Sequence, residues 1–163
     1  MARAGRRLER PDLIDSAERA LTFIQTHLWR EGRLLATTRN GKSHLNAYLD
    51  DYAFLAAGIL EFLQARWQSQ YLTFAINLLN VLLEKFEDSH AGGFFFTSND
   101  HEPLLHRSRP LMDDAIPSGN GIAAKMLIAY GHLIGEERYL AAAERLLKAL
   151  GNSVSHYPAG ACT

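Results

Sequence analysis

The sequence has almost no cysteine and no excess of either charge. The single thiol, Cys162, excludes a disulfide within the chain and any Cys-x-x-Cys redox or zinc motif, and it fits reducing surroundings. The 17 Lys and Arg nearly balance the 18 Asp and Glu, so no net field draws the chain towards nucleic acid or an anionic membrane. We therefore expect a cytoplasmic protein with neither nucleic acid nor membrane as a partner.

Long apolar runs are also missing. No uninterrupted run approaches the roughly 20 residues that span a bilayer. Residues 1–10 carry four arginines, but Pro11 and Asp12 follow where a secretory signal needs an apolar stretch. The sequence therefore predicts neither a membrane span nor a signal peptide, and its 163 residues, 47% of them hydrophobic, are typical of one globular domain.

Helical periodicity is what the sequence has in abundance. Apolar stripes on otherwise polar segments predict amphipathic helices near 12–28, 70–87 and 137–150. The segments near 51–65 and 120–134 are apolar nearly all round, which predicts helices buried on several sides. Because the two kinds alternate, the structural unit is a pair of helices, one inner and one outer.

These helix pairs align as internal repeats. A shift of 68 residues relates the last two outer helices through six identical pairs: Tyr71, Leu72, Ala75, Leu78, Leu79 and Leu82 match Tyr139, Leu140, Ala143, Leu146, Leu147 and Leu150. A shift of 67 relates the inner helices, and a shift of 58 relates the first two outer helices more weakly. Chained αα-hairpins of this kind form an arc with the inner helices inside a layer of outer ones.

We expect one core and two long connections between repeats. The expected core residues are Leu55, Ile59, Leu60, Leu79, Ile122, Met126, Leu127 and Leu147. The connections are 30–49 and 88–117, and in the second of them 92–97 and 104–107 are predicted to form a small β-hairpin around the turn at 98–100. The predicted fold class is all-α, with this hairpin as its only sheet.

Three ordered motifs carry a family resemblance: YLDDYAFLAAGILEFLQA at 48–65, GGFFFT at 92–97 and DDAIPSGNGIAA at 113–124. In these motifs the chain resembles the helical region of the thioredoxin-domain-containing, spermatogenesis-associated family of conserved proteins. The resemblance implies part of an (α/α)6 toroid, similar to the six-hairpin glycosidases and the N-acylglucosamine 2-epimerases. It also implies that residues 1–163 are a single partial toroid domain, a fragment without the family's thioredoxin-like domain.

The fragment interpretation predicts uncovered ends. Residues 1–9 look like the end of an inner helix, and 156–163 look like the start of another. An inner helix without its neighbour leaves apolar surface in water. We therefore expect a homo-oligomer in which the terminal hairpins of two copies meet, through Leu13, Ile14 and Leu21 or through Leu146 and Leu150.

Acidic residues gather where the two inner helices start. In an arc these starts share one mouth, and paired carboxylates in different environments are what acid–base chemistry on a sugar requires. We predict Asp51 and Asp114 as catalytic residues and, as substrate contacts, Asp50, Asp113, Ser118 and Asn120. Asp and Ser are equally typical of helix N-caps, and that alternative stays open.

Three further residues are candidates near the same mouth. Tyr52 can stack on a sugar ring, Arg109 can contact substrate, and His106 can act as an acid or base. None of the seven histidines has metal-ligand spacing and no glycine pair forms a phosphate loop, so we predict no metal and no cofactor.

Two classes of function remain open at this stage. The first is a carbohydrate-active domain, an epimerase, isomerase or glycosidase that binds a sugar at the acidic mouth. The second is a non-catalytic scaffold that serves a thioredoxin-like domain of the parent protein. Sugar binding by the purified chain separates the two.

Overall fold

Helices dominate the computed structural model, which describes residues 1–102 and 104–154. In this part of the chain they are α1 Ala2–Arg7, α2 Pro11–His27, α3 Leu49–Ala65, α4 Ser69–Lys85, α5 Gly119–Ile134 and α6 Glu137–Val154. Pro11 opens α2 because its fixed φ suits the first helical position. Gly135 ends α5 because it adopts the left-handed conformation, with φ 70°. All five predicted helices are confirmed, and residues 2–7 of the segment 1–9 are helical as well.

The helices pack as three antiparallel hairpins, α1 with α2, α3 with α4 and α5 with α6. The apolar helix α3 also packs against α1 and α5, which makes it the centre of an inner layer. Tyr130 of α5 donates a hydrogen bond to the Ala56 carbonyl of α3 (3.0 Å), and burial raises the pKa of this tyrosine above its ordinary value. The alternation of inner and outer helices is therefore present, while the predicted inner helix at 156–163 lies outside the described residues.

The β-structure lies in a different connection from the predicted one. A three-stranded antiparallel sheet is formed by β1 Trp29–Arg30, β2 Arg33–Arg39 and β3 Lys42–Asn46. Its two-residue turns are Glu31-Gly32 and Asn40-Gly41, and all four residues have positive φ, as type I′ hairpin turns require.

The hairpin predicted within 88–117 is wrong. Gly92 and Gly93 both have positive φ, 77° and 84°, so the chain turns where an extended strand was expected. Phe94 forms a single bridge with Glu87, and residues 104–107 contain no strand. The loop instead crosses the starts of α3 and α5.

The predicted core is correct except at one residue. Ile59, Leu79, Met126 and Leu127 are buried, and the partly buried residues that pack against them are Leu55, Leu60 and Ile122. Leu147 is 49% exposed, although the residue at the same repeat position in α4, Leu79, is fully buried. The prediction failed there because, among the described residues, no further outer helix packs on that side of α6.

Candidate functional site

An open cleft of about 520 Å³ lies at the start of α3. Its walls come from the end of α2, from β2, from α3 and from the segment before α5. Most of the wall is apolar, and two acids, Asp50 and Asp51, also line it; the apolar residues are Ile24, Leu28, Leu34, Leu35, Ala36, Phe54, Leu55 and Ile116. The cleft thus combines apolar surface with two adjacent carboxyl groups.

Asp50 is half-buried between the two inner helices. Its Oδ1 atom is buried without a hydrogen-bond partner among the described residues. The atom lies against the first residue of α5, because a Cβ placed on Gly119 would come within 2.0 Å of it. Burial and the negative charge of Asp51 raise the pKa of Asp50 above its ordinary value. This carboxyl group therefore keeps its proton to higher pH than an exposed aspartate does.

Asp51 is exposed and belongs to the capping box of α3. Its Oδ2 accepts a hydrogen bond from the backbone N–H of Tyr48 (2.8 Å). The N-cap of α3 is Tyr48, so Asp51 is not the N-cap; it satisfies the Tyr48 amide as the third residue of the helix, in a capping box. Because Asp51 also lines the cleft, capping and ligand contact are compatible in this residue.

The start of α5 is closed by its own hydrogen bonds. Ser118 is the N-cap: its Oγ accepts from Asn120 N–H (3.2 Å) and donates to the Pro110 carbonyl (3.1 Å). The side chain of Asn120 is fully buried; it accepts from Phe94 N–H (2.7 Å) and donates to the carbonyls of Phe94 (3.0 Å) and Pro110 (2.8 Å). Asp113 Oδ1 accepts from Ser118 N–H (2.8 Å). These bonds hold the loop onto α5.

The remaining predicted site residues lie away from the cleft surface. Tyr52 is fully buried, and its hydroxyl accepts from Leu34 N–H (2.9 Å). Arg109 donates to Asp88 Oδ2 (2.8 Å) and to the Gly92 carbonyl (2.7 Å). A ligand in the cleft meets neither side chain.

His106 and Asp114 are exposed residues of the long loop and do not line the cleft. The backbone N–H of Asp114 donates to the Ile116 carbonyl (3.1 Å), and Ile116 does line it. Asp114 is thus close in sequence to the cleft wall without forming part of it.

Sequence reasoning missed the apolar wall of the cleft. Leu34, Leu35 and Ala36 belong to β2, a strand that lies inside the predicted connection 30–49. The sequence does contain a signal for this strand, because Asn40-Gly41 is typical of a two-residue β-hairpin turn. Phe54, the exposed aromatic residue of the cleft, follows two positions after the buried Tyr52.

Within 1–102 and 104–154, no three His, Cys, Asp or Glu side chains come together as metal ligands would. None of the helices in that part of the chain combines the length and the apolar character needed to cross a membrane.

Comparisons with known proteins give relatives along nearly the whole chain. No protein-family model matches it. Spermatogenesis-associated protein 20 of Rattus norvegicus is 28% identical over 166 residues, 95% of this chain and 21% of the relative. The Homo sapiens protein of that name is 28% identical over 90% of the chain, and an uncharacterized Caenorhabditis elegans protein is 24% identical over 97%. These similarities support the family resemblance, and the chain spans about one fifth of the length of these relatives.

Proposed function

We propose that the cleft at the start of α3 binds a sugar ring and that Asp50 and Asp51 perform acid–base chemistry on it, as an epimerase, isomerase or glycosidase does. One observation carries the proposal: a half-buried carboxyl group with a raised pKa lies beside an exposed carboxylate on the same cleft. Carboxyl groups in contrasting environments take the roles of acid and base in such chemistry.

The two acids have different roles in this proposal. Asp50 retains its proton to higher pH than an exposed aspartate does, so it donates a proton to a sugar oxygen. Asp51 faces solvent and accepts a proton. The apolar wall suits the carbon face of a sugar, and Phe54 takes the stacking role that was first given to Tyr52.

In the same proposal the three hairpins are part of an (α/α)6 toroid of a cytoplasmic protein. Two observations support this arrangement. The inner helices α1, α3 and α5 form a row, and one outer helix packs on each of them. The chain is also similar to much longer relatives. In a toroid the starts of the inner helices face a common mouth, and the cleft lies at such a start.

The experiment compares aspartate-to-asparagine variants of the whole chain. Purified protein is tested for binding of monosaccharides and disaccharides by saturation-transfer NMR, and for turnover of any sugar that binds. We expect Asp50→Asn and Asp51→Asn to lower turnover by roughly 100-fold or more, because each removes a proton-transfer group. Asp114→Asn and His106→Gln, which change exposed groups outside the cleft, serve as matched controls and keep full activity.

Three outcomes would contradict this proposal. Loss of activity in Asp114→Asn with retention in Asp50→Asn would move the chemistry to the loop. Equal loss of stability and activity in the Asp51 variant would leave it only a capping role. Absence of binding for every sugar would remove the ligand class itself.

A second candidate is a non-catalytic scaffold that binds a thioredoxin-like domain of a longer parent protein. One observation favours it: several predicted site residues use their polar groups in hydrogen bonds within the protein, namely Tyr52, Arg109, Ser118 and Asn120. Titration of the chain with a purified thioredoxin-like domain of a homologue tests it. Binding of that domain together with no sugar binding favours the scaffold over the enzyme.

A further inference from the structure

The three outer helices bury equivalent residues to different extents. Leu21, Leu79 and Leu147 occupy the same repeat position in α2, α4 and α6. Leu21 and Leu79 are 6% and 0% exposed, whereas Leu147 is 49% exposed. Among the described residues α2 and α4 are followed by another hairpin and α6 is not. We call this side of an outer helix its trailing edge.

The opposite side of the outer helices shows the reverse pattern. Ala20, Leu78 and Leu146 share one repeat position; Leu78 and Leu146 are fully buried, and Ala20 is exposed. Among the described residues α4 and α6 are preceded by an outer helix, and α2 is not. We call this side the leading edge. The trailing edge of α6 and the leading edge of α2 are thus the two edges that no other described helix covers.

The molecule shows twice how a trailing edge meets a leading edge. The Tyr71 hydroxyl of α4 shares a hydrogen bond with Thr22 Oγ1 of α2 (2.8 Å). The Tyr139 hydroxyl of α6 donates to Asn80 Oδ1 of α4 (2.9 Å). Tyr139 is the repeat equivalent of Tyr71, and Asn80 is the equivalent of Thr22. The two junctions therefore share one geometry.

We propose that a second copy of this chain covers the trailing edge of α6 with the leading edge of its own α2, so that this junction occurs a third time. The uncovered leucine of one edge then meets the small, exposed Ala20 of the other. Leu13, which takes the place of Tyr71 and Tyr139, is half-buried and adds apolar surface. Burial of such surface favours association.

Charge at this junction is complementary. Lys148 takes the repeat position of Thr22 and Asn80, so in the third junction it lies beside position 13 of the other copy. The neighbouring residue there is Asp12, and both side chains are exposed. Each has an exposed ion-pair partner, Glu144 or Arg10, and exposed pairs exchange at little cost.

The contact is heterologous, because two different edges meet. The three hairpins of the described residues, taken from each of two copies, make six, and their closure into a ring with two such junctions rests on the toroid proposed above. The association does not involve Asp50 or Asp51. A failure to bind sugar therefore leaves this inference standing, and a monomeric protein leaves the sugar proposal standing.

Sedimentation velocity of the full chain at tens of micromolar tests the proposal. We expect the wild type to sediment as two copies and both Leu147→Glu and Ala20→Glu to sediment as monomers, because each variant places an unpaired charge in the junction. Leu45→Glu is the matched control: Leu45 is an exposed leucine of β3, on neither edge, and this variant stays dimeric. Circular dichroism confirms that the variants fold.

Mixing the two edge variants distinguishes a head-to-tail contact between different edges from a symmetric contact between identical edges. The Leu147→Glu protein keeps an intact leading edge and the Ala20→Glu protein an intact trailing edge. An equimolar mixture therefore forms a one-to-one pair through a single junction, more weakly than the wild type. A monomeric wild type, a dimeric Ala20→Glu variant, or assemblies larger than two copies would overturn the proposal.

Discussion

The starts of α3 and α5 are related by the internal repeat, yet their polar groups are used differently. At the start of α5, Ser118 and Asn120 are buried, and both join the helix to the loop before it. At the start of α3, a buried oxygen of Asp50 has no hydrogen-bond partner in the described part of the chain, and Asp51 faces solvent. The comparison shows that a repeat conserves helix position, while the connection in front of each helix decides whether its start is closed or open to a ligand.

Asn120→Ala should have the largest effect, because it removes the residue that closes the start of α5. Its amide makes three hydrogen bonds to the backbone of Phe94 and Pro110, and Phe94 is fully buried. Loss of these bonds should lower the free energy of unfolding by about 3 kcal/mol. Urea denaturation measures it, and Asn77→Ala on the exposed face of α4 is the control, expected to be neutral or slightly stabilising.

Gly119→Ala probes the contact between the two starts. The new Cβ would lie 2.0 Å from Asp50 Oδ1 and 3.1 Å from Leu49 Cγ, so the Asp50 side chain must move. We expect a loss of about 2 kcal/mol in the free energy of unfolding. In an Asp50→Ala background the same change should cost less, because the overlap with Oδ1 is gone and the 3.1 Å contact with Leu49 Cγ remains.

The matched control for that cycle is Gly58→Ala, where a Cβ has open space within α3. It should stabilise the protein by up to about 1 kcal/mol through helix propensity. Additive effects of Gly119→Ala and Asp50→Ala would show that the two residues do not interact, contrary to the structure.

Ser118→Ala and Asp51→Ala compare the two caps directly. Ser118 is buried, and its hydroxyl both caps α5 and binds the Pro110 carbonyl, so its loss should cost about 1.5 kcal/mol. Asp51 is exposed, and its single bond to Tyr48 N–H should be worth about 0.5 kcal/mol. Thermal unfolding of the two variants ranks them, and the reverse order would contradict the distinction between a closed and an open start.

The smallest effect concerns the pH dependence of stability at Asp50. Because its pKa is raised in the folded state, its stabilising contribution is present at low pH and is lost as the pH rises through that pKa. Asparagine does not ionise, so the Asp50→Asn variant does not lose this stability as the pH rises. The difference in unfolding free energy between variant and wild type should therefore shift in favour of the variant from about pH 3 to pH 7. A constant difference would show that the Asp50 pKa is the same in the folded and unfolded states.

Periodicity made the helices predictable, and turn chemistry was the part that was misread. The apolar stripes placed all five long helices, because an amphipathic helix reports its own buried face. The run GGFFFT predicts a strand, but Gly92 and Gly93 turn the chain there. The hairpin lies instead at Asn40-Gly41. The first strand of this hairpin, β2, supplies part of the apolar wall of the cleft, so that wall was missed together with the hairpin.

The proximity of the two inner helix starts was predictable, and the arrangement of their side chains was not. Acids before both inner helices indicated a shared mouth, and Asp50 does lie against Gly119. Nothing local distinguishes Asp50 from Asp51, which are adjacent in the sequence, and yet only Asp50 is pressed against α5. The sequence predicts Asn120 as a substrate contact. Its burial could not be predicted locally, because the loop that buries it folds back from residue 94.

The sequence by itself determined the helices, their grouping into repeated hairpins and the concentration of acids at the inner starts, because these depend on residue spacing along one segment. The tertiary structure alone decided which acid is buried, which cap is closed and which of the equivalent leucines is exposed. Burial and pKa depend on the neighbours that distant segments supply. Leu79 and Leu147 have the same local sequence pattern, and only what packs beside each helix makes one buried and the other exposed.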